Sequence, residues 1–474
     1  MSNRPETNKQ SCPVYKKCGG CQLQNLSYPE QLEFKQRKVE KLLKRFCTVE
    51  KIIGMKTPYH YRNKVQAAFY TDKKGKIISG VYQSGSHHVV GIDSCQTEDV
   101  IADKIIVAVR KLLPSFRMTT YNEDTGKGFL RHILVKRGFA TNQIMLVLVT
   151  GTPVFPSKNN FVKAILKQFP EITTILQNIN PYRTNLVLGD NQKVLYGKGY
   201  IEDILCGCRF RISPKSFYQI NPVQTEVLYG KAIEFANLKG NETVLDTYCG
   251  IGTIGIIAAK NGAGNVIGAE LNGDAVRDAI VNARANNLKN IRFYKADAGE
   301  FMREAADEDE KPDVVFMDPP RAGSDRKFLD SLIKMSPKKV VYVSCNPETL
   351  ARDLAYLTQN SPYKAQKIQP VDMFPHTAHI EAVVKLVRKT PDAYVDLKVD
   401  MDELDLTASE AKATYEEIKQ YILDKYDTKV SNLYIAQVKE KYGIIERENY
   451  NKPKSANTKP VSYTHLRAHE TEAD

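Results

Sequence analysis

Thr243-Val244-Leu245-Asp246-Thr247-Tyr248-Cys249-Gly250-Ile251-Gly252-Thr253-Ile254-Gly255 is the stretch that decides the fold. Its first five residues read as a short buried strand, and the glycines after them mark a tight turn into an apolar helix. Gly250, Gly252 and Gly255 let a ligand approach the backbone at that first strand-to-helix turn. Further along, Asn265-Val266-Ile267-Gly268-Ala269-Glu270 is a second strand, ending in a carboxylate. Glu270 lies twenty residues past Gly250, where an acidic side chain accepts hydrogen bonds from a ribose's two hydroxyls. Residues 291–295, 313–317 and 339–344 continue the series with helical stretches between them. That alternation predicts a Rossmann-like α/β domain, a doubly wound and mostly parallel sheet.

A glycine turn of this kind serves dinucleotide enzymes and methyltransferases alike. The fourth strand separates them, because it ends Phe316-Met317-Asp318-Pro319-Pro320-Arg321. Asp followed by Pro-Pro makes a stiff, extended loop at the sheet's carboxyl edge, where a target group meets a cofactor. The fifth strand, Val340-Val341-Tyr342-Val343-Ser344, runs into Cys345-Asn346-Pro347, with a thiol at the strand end. A lone cysteine is commonly a small buried hydrophobe, but a thiolate at this junction can act as a nucleophile. Hydride transfer has no use for either feature; methyl transfer has use for both.

Toward the N-terminus, Cys12, Cys18 and Cys21 fall within ten residues, with Gly19 and Gly20 between the last two. Three soft ligands need a fourth, and Cys95, at a turn after an extended segment, is the candidate. Four thiolates suit zinc or an iron–sulfur cluster, and the spacing of five residues then two is less typical of a zinc ribbon. Cys47, Cys206 and Cys208 are read as structural. Residues 51 to 198 alternate apolar and polar runs, predicting a β-rich region with strands at 66–70, 143–149 and 184–188 and helices at 101–113 and 160–169. Two basic segments with aromatic residues, 59–64 and 128–133, are candidate contacts to single-stranded nucleic acid.

Composition bounds the rest. The 474 residues leave room for two or three domains, and a net charge of +13 favours a polyanionic partner. No apolar run reaches membrane-spanning length, and nine cysteines in so long a chain suit ligation and catalysis in a reducing cytoplasm.

Taken together, the motifs resemble the S-adenosylmethionine-dependent RNA (uracil-C5)-methyltransferases, most closely the bacterial iron–sulfur branch that modifies 23S ribosomal RNA. The resemblance runs from Cys12 to Lys389. It rests on the four cysteines, Ser216-Phe217-Tyr218-Gln219-Ile220-Asn221, Asp246-Thr247-Tyr248-Cys249-Gly250, Asp318-Pro319-Pro320-Arg321, Ser344-Cys345-Asn346-Pro347 and His379-Ile380-Glu381. It implies a [4Fe-4S] cluster bound by Cys12, Cys18, Cys21 and Cys95, and S-adenosylmethionine held by Gln219, Tyr248, Gly250, Glu270 and Asp318, with Asp297 near the adenine. It implies Cys345 as the nucleophile and Glu381 as the base that removes the C5 proton. His376 and His379 are read as structural rather than as bases.

The expected organisation is an iron–sulfur and β-rich RNA-binding domain over 1–205 and a class I methyltransferase domain over 206–389. A helical extension with a disordered tail comes next over 390–474, its helices starting at 407–410 and spanning 415–426 and 431–442. The expected partner is RNA, 23S ribosomal RNA first, and the expected enzyme is a cytoplasmic monomer with no membrane attachment. Many relatives carry an RNA-binding β-barrel ahead of the cysteines that has no counterpart here, so RNA affinity or site choice is expected to differ. Three rivals are weaker. A cytosine-C5 enzyme has a Pro-Cys pair after the fourth strand, the transfer-RNA branch generally lacks the N-terminal cysteines, and a non-catalytic iron–sulfur RNA-binding protein has no need of Cys345 and Glu381.

Overall fold

The computed structural model describes residues 12–83, 86, 88–184, 186–308, 311–389 and 415–426. Up to Lys389 the chain is one compact unit, and residues from Thr390 form a second. The first unit begins with helices α1 (Tyr15–Cys18) and α2 (Tyr28–Leu43). The central region consists of β1 (Lys64–Thr71), β2 (Ile77–Tyr82), β3 (Val89–Gly91), α3 (Val100–Leu112), β4 (Leu130–Arg137), β5 (Ile144–Thr150), α4 (Lys158–Gln168), β6 (Ile172–Ile179) and β7 (Asn191–Tyr196). Its seven strands form one sheet in the order β3-β2-β1-β4-β5-β6-β7. Helices α3 and α4 cover one face through Ile105, Val109, Phe161 and Ile165 against Val65, Ile133, Val135 and Leu146. The other face, through Leu134, Met145, Val147 and Val149, packs into the core of the residues after it. Burial on both faces is why β5 is apolar along its whole length.

Among the described residues of 184–188 there is no strand. The chain bends at Val187 and Leu188, and the edge strand is β7 instead. Side-chain amides take the backbone groups that a ladder would need. Asn180 Nδ2 donates to the Leu186 and Val187 carbonyls at 2.7 and 3.2 Å, and the Asn178 side chain brackets both backbone groups of Gly189.

A hairpin of β8 (Ile201–Leu205) and β9 (Cys208–Ile212) leads into the second half. Cys206 and Gly207, both at positive φ, form its two-residue turn. The remaining elements are α5 (Pro222–Ala236), β10 (Thr243–Asp246), α6 (Thr253–Lys260), β11 (Asn265–Glu270), α7 (Gly273–Ala285), β12 (Ile291–Lys295), α8 (Ala298–Asp307), β13 (Val314–Met317), α9 (Arg326–Met335), β14 (Lys339–Ser344), α10 (Pro347–Gln359), β15 (Tyr363–Val371) and β16 (Glu381–Arg388). The sheet order is β12-β11-β10-β13-β14-β16-β15. The first five strands are parallel, as expected, and β16 runs antiparallel between β14 and β15. A dinucleotide-binding sheet has a sixth parallel strand at that edge. The order reverses between β10 and β13, which marks the ligand crevice.

Helix α2 braces the far edge of this sheet, packing on α10 and β15. A capping box between Ser27 and Glu30 starts it. Its buried stripe is Gln31, Lys35, Val39 and Leu43, four residues apart each time. The C-terminal half of the stripe is apolar and joins the core. The N-terminal half is polar: Lys35 Nζ lies 2.5 Å from Asp372 Oδ1, with both side chains fully buried, and the Tyr28 hydroxyl donates to Asp372 Oδ2 at 2.8 Å.

In the second unit, the expected helix from Tyr415 to Tyr426 is present as α11, with Ile418 and Ile422 buried one turn apart. The expected helix start at 407–410, the helix at 431–442 and the tail lie outside the described residues.

Replacing Lys35 with Met keeps the volume but leaves Asp372 charged and buried with a tyrosine hydroxyl as its partner. We expect urea denaturation to register a loss of about 3 kcal/mol, against under about 1 kcal/mol for breaking the exposed Arg37–Glu33 pair.

Candidate active site

The crevice is built where β10, β13 and β14 end and β16 begins. Asp246 closes β10; its Oδ2 accepts the Gly255 N–H at 2.8 Å, while the buried Oδ1 has no partner. A Cβ at Gly255 would stand 3.1 Å from that Oδ2, a tight approach that would push the carboxylate or helix α6 back by a few tenths of an ångström. Gly250, at φ +55°, donates its N–H to Glu270 Oε2 at 3.0 Å, and Glu270 Oε1 accepts from Asn272 at 2.8 Å. Each Glu270 oxygen keeps a further lone pair for an incoming donor. Tyr248 is half-buried, its hydroxyl 3.3 Å from Ser324 Oγ and its ring tilted against Phe328. Asp297 serves as the N-cap of α8, accepting from Gly299 and Glu300.

At the other side of the crevice, Asp318 is the first residue after β13 and Cys345 the first after β14. Glu381 opens β16. The register sets Ser344 opposite Ala382 and Val371 opposite Glu381, so the antiparallel strand starts at the same edge where β14 delivers the thiol. Burial first, and then the Asp318 charge, pushes the Glu381 carboxyl up to about 8. Burial alone pushes Asp318 up to about 7. Asp246 is also pushed up to about 7, by burial and then by Asp318 and Glu270. The half-buried Cys345 thiol is pushed up to about 11, by burial first and then by Glu381 and Asp318, against the pull of Arg321. Carboxyls that titrate near neutrality beside a thiol at a strand end are suited to acid–base and nucleophilic work.

Gln219 is buried on the loop ahead of α5. The Ser213–Ser216 turn before it is clamped from two sides. Asp278 Oδ2 accepts both serine hydroxyls at 2.6 Å, and Lys136 Nζ donates to the Ser213 and Ser216 carbonyls at 2.9 and 2.8 Å. Gln219 hydrogen-bonds Tyr229, whose phenol is raised well above its ordinary value by burial and by Asp318, Glu381 and Asp246. Sequence reading did not find Tyr229, Lys136 or Asp278. They lie within regular helices and a strand, and nothing in their spacing sets them apart.

Cys12, Cys18, Cys21 and Cys95 line one small pocket, with Val14, Tyr15 and Gln24 among its walls. Burial raises the Cys21 thiol and pushes Cys95 up to about 11. Among the described residues, no group of three or more His, Cys, Asp or Glu side chains is arranged to hold a metal ion.

The two basic segments are largely built into the fold rather than offered to a strand of nucleic acid. Arg131 is buried, pairing with Glu123, donating to the Asn180 and Tyr182 carbonyls at 2.7 Å and stacking on Tyr121. His132 beside it is buried, and burial pushes it down to about 4. In the other segment Tyr61 is buried, donating to the Pro375 carbonyl at 3.0 Å, and Asn63 is buried too. Tyr59 remains exposed. Arg131 and Tyr61 lie beside buried acceptors that their side chains satisfy, which periodicity cannot reveal.

Comparison with known proteins gives a consistent picture. Residues 163–389 match the family model for tRNA (uracil-5-)-methyltransferases. An uncharacterized RNA methyltransferase of Bacillus cereus is 43% identical over 389 residues, covering 81% of this chain and 84% of its own. One from Listeria monocytogenes is 46% identical over 379 residues, covering 79% and 83%. Among solved structures, the Pyrococcus abyssi tRNA (uracil-54, C5)-methyltransferase in complex with S-adenosyl-L-homocysteine superposes with a TM-score of 0.66 at 31% identity, over 78% of this chain and 86% of that one.

The thiol and the carboxyl should report on each other. Alkylation of Cys345 by iodoacetamide, followed by peptide mass spectrometry, should be slow near neutral pH and rise toward about 11. Above about 8 Glu381 is ionised and its charge opposes the thiolate. Glu381→Gln should therefore speed Cys345 alkylation severalfold above that pH and change it little below; an unchanged rate throughout would refute the coupling.

Proposed function

The chain belongs to the S-adenosylmethionine-dependent RNA (uracil-5-)-methyltransferase family, and on that premise we propose that it converts a uridine of 23S ribosomal RNA to 5-methyluridine with Cys345 as nucleophile and Glu381 as base. The observation that carries the reading is the juxtaposition of Cys345, Asp318 and Glu381 at one sheet edge.

Uracil C5 is too weak a nucleophile to take a methyl group unaided. Addition of the Cys345 thiolate to C6 forms a C–S bond and moves the ring's double-bond electrons into an enolate, which makes C5 electron-rich. S-adenosylmethionine would supply the methyl group, its sulfur–methyl bond breaking to release S-adenosylhomocysteine as C5 gains the methyl, and Gln219, Tyr248, Gly250, Glu270, Asp318 and Asp297 are the residues we assign to hold it. Glu381 then removes the C5 proton, the C–H electrons restore the C5–C6 double bond, and the thiolate leaves. The elevated Glu381 is a stronger base than an ordinary carboxylate once it is ionised, and a cationic cofactor in the crevice would favour that ionised form. The target uridine must leave its stack to reach an edge this buried.

The N-terminal cysteines support the ribosomal branch. An all-thiol donor set around one cavity fits an iron–sulfur cluster, and Cys12, Cys18, Cys21 and Cys95 are the residues that would hold it. The second reading is transfer RNA, favoured by the substrate of the Pyrococcus abyssi relative. A monomer working in the reducing cytoplasm is consistent with nine cysteines that form no disulfide.

The test is methyl transfer from labelled S-adenosylmethionine to unmodified 23S ribosomal RNA and, separately, to transfer RNA, with the nucleoside identified. 5-Methyluridine in ribosomal RNA alone is the expected result; the same product in transfer RNA alone would keep the chemistry and overturn the substrate. Cys345→Ala should abolish transfer while leaving cofactor binding intact, and Glu381→Gln should accumulate a covalent protein–RNA adduct. Protein isolated without air should carry iron and acid-labile sulfide, and Cys18→Ser or Cys95→Ser should lose both.

A further inference from the structure

His376 lies five residues before Glu381 and is buried with its backbone at φ +69°. Histidine is among the few residues enriched in that left-handed region, but holding it there still costs about 1–3 kcal/mol. The contacts that hold it come from the other end of the chain. Its N–H donates to Gln31 Oε1 at 2.9 Å, and its carbonyl accepts the Leu23 N–H at 2.9 Å. Its Nε2 lies 2.8 Å from the Pro58 carbonyl, which can only accept, so Nε2 carries the proton. Its Nδ1 is then the acceptor for Gln31 Nε2 at 3.2 Å. All four polar groups of this neutral histidine are thus satisfied by residues 23–58, and the Tyr59 ring stacks on the imidazole with centroids 4.9 Å apart.

The neighbours of His376 are tied to the same part of the chain. Lys35 Nζ donates to the Phe374 carbonyl at 3.0 Å and Tyr61 to that of Pro375. The Ala378 N–H donates to Gln22 Oε1 at 3.2 Å, and Gln22 comes directly after Cys21. Glu381 is the first residue of its strand, paired only with Val371 on β15, so the sheet ladder holds it from one side and does not fix how the chain arrives. Arrival is set by this loop, and the loop is set by α2 and the cysteine-bearing segment.

We propose that His376 is a positioning residue for Glu381, locking the 372–380 loop to the N-terminal segment so that the carboxyl meets the C5 proton after methyl transfer. The proposal rests on the reading of Glu381 as the base. It assigns to His376 no proton transfer of its own, since both ring nitrogens are occupied.

The test separates the first methyl transfer from turnover. His376→Asn keeps a residue that tolerates the left-handed backbone, but its short amide cannot span Gln31 and Pro58. Gln31→Met keeps the volume and removes the two bonds to His376, without touching the loop's own sequence. Single-turnover methylation, steady-state turnover, adduct on a denaturing gel and S-adenosylmethionine affinity by calorimetry are measured beside Glu381→Gln. We expect the first transfer to stay within about threefold of the unmodified enzyme, turnover to fall about tenfold or more, adduct to accumulate, and cofactor affinity to hold within about twofold. First transfer and turnover falling together without adduct would mean that His376 serves stability alone. Adduct in Glu381→Gln but in neither other variant would overturn the positioning role. No adduct even in Glu381→Gln would overturn the base assignment and the proposal with it.

Discussion

Everything at the candidate active-site edge depends on one reversal of direction: β16 enters the sheet antiparallel, between β14 and β15. A parallel strand in that place would deliver its first residue to the opposite edge, far from the end of β14. Running backwards, it delivers Glu381 to where β14 delivers Cys345. The hydrogen-bond ladder between the two strands thereby brings a thiol and a carboxyl, thirty-six residues apart in the chain, to one point.

That meeting has an electrostatic consequence. Asp246, Asp318 and Glu381 are three carboxyls in a poorly solvated crevice; burial raises each of them, and Asp318 further disfavours ionisation of Asp246 and Glu381. Cys345 feels two of them. Near neutral pH Glu381 and Cys345 therefore favour their protonated forms, and a cationic ligand in the crevice would favour releasing those protons. Arg321, which opposes the rise of the Cys345 thiol, is engaged with His379 Nδ1 at 2.7 Å, while Asn346 at the start of α10 donates to the Arg321 carbonyl at 3.1 Å. The crevice wall is consequently cross-tied around its charged groups.

The bracing extends to parts of the chain with no chemistry of their own. Lys136, on the central sheet, and Asp278, on α7, grip the turn ahead of Gln219 from opposite sides. Helix α2 spends half of its buried stripe on Lys35 and Gln31, polar side chains that reach the loop ahead of Glu381. Burial of Lys35 against Asp372 is weak support for stability in itself but specific about geometry, because a charged pair tolerates few alternative partners in a dry interior.

Local patterns in the sequence were enough for the parallel strands from Thr243 onward, the glycine turn, the thiol at a strand end and the Asp-Pro-Pro loop, because each is decided within a few residues. The pattern failed at 184–188, where Asn180, just past the end of β6, takes the Leu186 and Val187 carbonyls that an apolar run would otherwise pair. It also misread Arg131, which is taken up by Glu123, Tyr121 and the 180–182 segment, and His132, which is buried beside Tyr82. Motifs in the sequence marked out Cys345 and Glu381 separately. That they stand together, that their protons are held, and that residues 22–61 steady the loop between them were decided only by the tertiary structure, since strand direction, desolvation and contacts over more than three hundred residues have no local signature.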